Sequence, residues 1–82
     1  MSLEADLISE TEKWKVRLQK EIKKTAAGGE KGRGFLENIT AYASDSDHFM
    51  KKKDYVRSFE AIVWAWAWLE IGKETGVLKN KK

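Results

Sequence analysis

The chain has 82 residues, no cysteine, no proline and a single histidine, which points to one small domain without disulfides or a thiolate metal site. A composition 41% hydrophobic and 35% charged fits a packed, soluble helical chain rather than a disordered one. Lys79, Lys81 and Lys82 account for all of the net charge of +3, a basic tail that offers polyanions only a weak, salt-sensitive attraction.

The first helix is expected over 3–26. Leu7, Thr11, Trp14, Leu18 and Ile22 recur at steps of three and four, which makes one stripe on a helix of about 3.6 residues per turn. Glu4 and Asp6 in the first turn and Lys20, Lys23 and Lys24 near the end complement the helix dipole. Gly28 and Gly29 then stop the helix. The glycine-rich stretch GGEKGRG, Gly28 to Gly34, reads as a flexible connector. Gly29 and Gly34 have phosphate-loop spacing, but Phe35 and Leu36 stand where a lysine and a hydroxyl are needed, and no strand is expected before them.

A second helix follows over 35–52, with Phe35, Ile39, Tyr42 and Phe49 in one line and Leu36, Ala43 and Met50 beside it. Lys51, Lys52 and Lys53 crowd its C-terminal end, and Asp54 is a good N-cap for a third helix over 55–75. So short a join requires an antiparallel hairpin of helices. The third helix contains VWAWAWL, Val63 to Leu69, whose tryptophans alternate as in a strand. Its flanks do not alternate, and Tyr55, Phe59, Ile62, Trp66 and Leu69 form a helical core stripe instead. Trp64 and Trp68 then point away from Trp66, with Ile71 beside them, while Ala61, Ala65 and Ala67 let a neighbouring helix come close. A helix apolar nearly all round is normally covered on several sides, and two other helices cover two of its flanks. The expected architecture is an all-α, antiparallel three-helix bundle over 1–78 with a basic tail over 79–82.

The run from Tyr42 to Leu78 resembles an archaeal family known as domain of unknown function 357 (DUF357). The resemblance rests on Tyr42, Asp45 and Phe49, then Asp54 and Tyr55, then Phe59, Glu60 and Ala61, and finally Trp64, Ala65, Leu69, Glu70 and Gly72. Ser46 stands in place of the pattern's alanine and Glu70 in place of its aspartate. It implies a short three-helix bundle of archaeal origin and brings no activity, cofactor or catalytic residue.

The residues themselves point the same way. Asp45 and His48 share a helical face and are half of a metal site, but no second histidine or cysteine completes it. Asp45, Asp47, Asp54, Glu60 and Glu70 are available for acid–base work, yet a bundle of this size has little room for a cleft that shifts a pKa. The chain is therefore read as a non-enzyme with no cofactor, metal or small-molecule substrate. The longest stretch without a polar residue, Ala61 to Leu69, is too short for the about 20 residues of a membrane span, and MSLEADLISE lacks the apolar segment of a secretory signal. A cytoplasmic, membrane-free protein is expected. Its lead function is an interaction module that self-associates, as a homodimer, or docks to a protein partner. The contact patch is Trp64, Trp68 and Ile71, rimmed by Arg57 and Glu60, because tryptophan anchors interfaces and a small bundle gains stability by associating. Two alternatives remain. One is weak nucleic-acid binding, with Lys51 to Lys53, Arg57 and the tail converging at one end; the other is a monomeric bundle without a ligand site.

Overall fold

The computed structural model describes residues 2–81. Three helices carry the fold: α1 (Leu3–Lys23), α2 (Glu30–Lys51) and α3 (Tyr55–Glu74). Two short strands, β1 (Thr25–Ala27) and β2 (Leu78–Asn80), pair antiparallel at one end. The helices run up, down and up, so α1 and α3 are parallel, and the molecule is an elongated 43 × 19 × 17 Å. The Ser2 hydroxyl caps α1 by accepting from the Ala5 backbone N–H at 3.0 Å.

The sheet is the main departure from the sequence expectations. α1 stops at Lys23 rather than 26, because Thr25, Ala26 and Ala27 pair with Asn80, Lys79 and Leu78. The Gly28 N–H donates to the Val77 carbonyl (2.8 Å) and the Lys81 N–H to the Lys24 carbonyl (2.6 Å), which extends the pairing at both ends. The tail expected to lie beyond the domain is thus tied to it through Lys81; Lys82 lies outside the described residues. The glycine stretch is likewise ordered. It is preceded by a strand, and Gly29 (φ +96) caps α2, which begins five residues before the expected Phe35. Gly32 is buried within α2 because the first turns of that helix run against the Val77 carbonyl.

The core consists of Leu18, Ile39, Ile62, Ala65, Leu69 and Leu78. Its α3 face sets Ile62 and Leu69 of the expected stripe among the small residues Ser58, Ala61, Ala65 and Gly72, while Tyr55, Phe59 and Trp66 of that stripe are only half-buried. Small residues bring α2 and α3 close enough for a buried serine clasp. Ser46 Oγ donates to the Ser58 carbonyl (2.8 Å) and Ser58 Oγ to the Ser46 carbonyl (2.7 Å), so neither hydroxyl is left unsatisfied. Serine at 46, the departure from the family pattern, has its partner across the helix pair. Asp54 caps α3 as expected, accepting from the Arg57 N–H at 3.2 Å. Lys53 closes the turn in the left-handed region (φ +63), with the Asp54 N–H on the Phe49 carbonyl and the Lys53 N–H on that of Met50.

Candidate docking surface

α3 carries apolar residues on nearly every side, and the other two helices cover only part of it. α2 packs along one flank and α1 along another. The third flank is open: Val56, Val63, Trp64 and Ile71 are 58%, 48%, 55% and 45% exposed. Grooves run along both borders of this flank.

On the α2 side a groove of about 270 Å³ is lined by Tyr42, Asp45, Phe49, Arg57, Glu60, Ala61 and Trp64. Three of the five expected patch residues, Trp64, Arg57 and Glu60, therefore share one depression. The Arg57–Glu60 ion pair that their spacing favours is not formed. Arg57 pairs with the capping carboxylate of Asp54 (3.6 Å) and lies over the Phe49 ring (6.0 Å), so Glu60 keeps a free carboxylate. Ile71 lies two turns beyond Trp64 on the same face. Trp68 behaves differently: it packs against the core and meets Phe35 edge-on, with ring centroids 5.3 Å apart, and its buried indole N–H finds no acceptor among the described residues. Trp68 belongs to the α2–α3 seam, and Trp64 is the exposed one of the two.

On the α1 side a groove of about 420 Å³ is lined by Trp14, Phe59, Ile62, Val63, Trp66, Ala67 and Glu70. The sequence reading placed Trp14 and Trp66 in core stripes, yet both reach this surface. They meet edge-on at 5.8 Å, and the Trp66 indole N–H donates to the Trp14 carbonyl at 3.1 Å. Arg17 stacks over Trp14, 4.8 Å from its centroid. A signal for this groove was present in the sequence: Phe59, Val63, Trp66 and Glu70 follow steps of four, three and four beside the core stripe.

The free charges are segregated. α3 contributes Glu60, Glu70 and Glu74, none in an ion pair among the described residues, while its two cations are engaged, Arg57 with Asp54 and Lys73 with Glu21 (3.6 Å). Along α1 the neighbouring cations are Lys13, paired with Glu10, and Arg17. The expected convergence of the lysines is corrected. Lys51 to Lys53 and Arg57 sit at the hairpin end, whereas β2 carries Lys79 and Lys81 to the opposite end, beside Lys23 and Lys24. Twenty residues of helix, about 30 Å, separate the two groups. Among the described residues no group of three or more His, Cys, Asp or Glu is placed to hold a metal, and no helix is long and apolar enough to cross a membrane.

Residues 9–78 match the family model described as a protein of unknown function (DUF357). The chain belongs to this DUF357 family. The match takes in α1 as well as the Tyr42–Leu78 run that carries the resemblance. A solved crystal structure of an Archaeoglobus fulgidus protein of the same family is 49% identical, with a TM-score of 0.88. It covers 98% of this chain and 100% of its own, so the overall fold is similar to one seen experimentally. No curated protein matches the chain. Six of the seven residues lining the α2-side groove, all but Arg57, are residues that carry the DUF357 resemblance.

Proposed function

We propose that this DUF357 protein is a non-catalytic, cytoplasmic docking module that binds a protein chain on the open flank of α3, with Trp64 as its anchor. The observation that supports this reading is the exposure of Trp64, Val63 and Ile71 together on a helix whose remaining faces are packed. Isolated apolar side chains on a surface are ordinary, whereas several exposed on one helix side between two grooves, here with Glu60 set among them, favour an interaction site. Arg57 and Glu60 rim the Trp64 groove and supply polar contacts around an aromatic anchor. The test is a Trp64→Asp, Ile71→Asp variant. Its circular dichroism and melting are expected to match the wild type closely. In extracts of the native host, the size of the particle carrying the protein is expected to fall on native gel filtration. An unchanged particle size would contradict docking through this flank.

A second reading rests on the sheet end, where Lys23, Lys24, Lys79 and Lys81 come together on neighbouring backbone. Polyanion binding there would weaken steeply between about 50 and 200 mM salt, as phosphate contacts do, and would be lost on Lys79→Glu, Lys81→Glu.

A further inference from the structure

Building on the docking reading, we infer that the α2-side groove takes an arginine side chain from the protein that covers the α3 flank. At about 270 Å³ the groove is smaller than the about 300–1,000 Å³ of a small-molecule pocket and has room for one side chain. Two helices build it. Tyr42, Asp45 and Phe49 stand at steps of three and four on α2, and Arg57, Glu60 and Trp64 do the same on α3.

Two kinds of lining side chain have no partner of their own, and both suit a guanidinium. The first is aromatic. Trp64 is 55% exposed, and neither it nor Tyr42 stacks on a ring or lies under a cation among the described residues. A ring face attracts a cation through its quadrupole, and tryptophan does so most strongly. The second is the carboxylate. Asp45 and Glu60 are exposed in the lining, and neither is in an ion pair among the described residues. Within one helical turn of either, the only lysine or arginine on its own helix is Arg57, which Asp54 already holds. Asp45, Asp54 and Glu60 therefore face a single guanidinium, and the charge of a second cation is unmatched.

Arg57 displays the geometry such a cation would adopt. Its guanidinium lies over the Phe49 ring, 6.0 Å from the centroid, with a carboxylate beside it. Arginine fits better than lysine, because a planar guanidinium stacks on a ring while pairing with a carboxylate and is less strongly hydrated than an ammonium. An apolar side chain would draw Asp45 and Glu60 out of water unpaired. Arginine is also, with tryptophan and tyrosine, the residue most enriched in interface hot spots.

The probe is N-acetyl-arginine amide, titrated into isotope-labelled protein, with N-acetyl-citrulline amide, in which a neutral urea replaces the guanidinium, as its control. Backbone amide shifts over 42–49 and 57–64 are expected to saturate with a Kd of about 1–10 mM, ordinary for so small a ligand. The citrulline control is expected to bind at least about 10-fold more weakly, having lost the charge-assisted contacts. Asp45→Asn, Glu60→Gln and Trp64→Ala should each raise the arginine Kd about 2–5-fold, and Glu37→Gln, outside the groove, should leave it unchanged. In extracts of the native host, Asp45→Lys, Glu60→Lys is expected to shrink the particle as Trp64→Asp, Ile71→Asp does. Thermal melts confirm that each variant folds. No saturable binding of the arginine probe, equal binding of citrulline, groove variants that bind as the wild type does, or a lysine variant that leaves the particle unchanged each overturns the arginine. Docking on the flank still stands in those cases if Trp64→Asp, Ile71→Asp shrinks the particle, and it falls only if that variant does not.

Discussion

Replacing Gly32 and Gly34 by alanine, one at a time, is expected to shift stability in opposite directions although both lie in the first two turns of α2. A Cβ on Gly34 meets no atom within 4 Å, and its φ is not in the left-handed region. Alanine there gains the helix-propensity difference, up to about 1 kcal/mol. A Cβ on Gly32 would stand 2.2 Å from the Val77 carbonyl oxygen and 3.1 Å from the Ala27 Cα. Both neighbours are backbone, so about 1 Å of movement must come from the main chain. That movement pulls the Val77 carbonyl from the Gly28 N–H it accepts at 2.8 Å. Overpacking costs about 1–3 kcal/mol, and a lost hydrogen bond about 1 more. After subtracting the propensity gain, a net loss of about 1–3 kcal/mol remains. For a domain of this size each kcal/mol moves Tm by about 4–8 °C. Gly32→Ala should therefore melt about 4–24 °C below the wild type, and Gly34→Ala a few degrees above it, by circular dichroism at 222 nm. Equal shifts, or a stabilised Gly32→Ala, would refute close backbone packing at the sheet end.

At low micromolar concentration in urea, Trp64→Ala should cost less than about 1 kcal/mol, as for an exposed side chain. Trp68→Ala should cost about 2–4 kcal/mol because it empties the seam against Phe35; equal costs would show that the two tryptophans do not differ in role. Lys53→Gly should stabilise by about 0.5–1 kcal/mol, since it removes a left-handed penalty of about 1–2 against a gain in unfolded-chain entropy of about 0.5–1; a lower urea midpoint would contradict the turn geometry. Leu78→Ala should cost about 2–5 kcal/mol and speed amide exchange in β1, whereas a neutral result would mean that β2 does not close the bundle.

The helices and their hairpin were legible because their signals are local: three-and-four spacing, a capping Asp54, and charges that suit the helix dipoles. The sheet was not, since three-residue strands carry almost no period of their own and β1 pairs with residues more than 50 positions away. The same distance effect hid the start of α2. Gly32 reads as a flexible residue until Val77 is placed against it, after which only glycine fits. Trp64 and Trp68 lie only about 40° apart on the helix, too close for spacing to separate them. What separates them is the facing residue: Phe35 covers Trp68, while the space beside Trp64 stays open as a groove. Of the residues on the proposed docking surface, Trp64, Arg57, Glu60 and Ile71 are ones the sequence singles out, and all four are exposed. Val63 and Glu70 follow Phe59 and Trp66 at helical spacing, but their grouping with Trp14 emerges only once α1 is laid alongside α3.

The proposed docking of a protein chain on the open flank of α3 is tested most directly by native gel filtration of host extracts that carry the wild type or the Trp64→Asp, Ile71→Asp variant. A particle larger than the 9.4 kDa of the chain, smaller for the variant, is the expected result. The same particle size for both would contradict it.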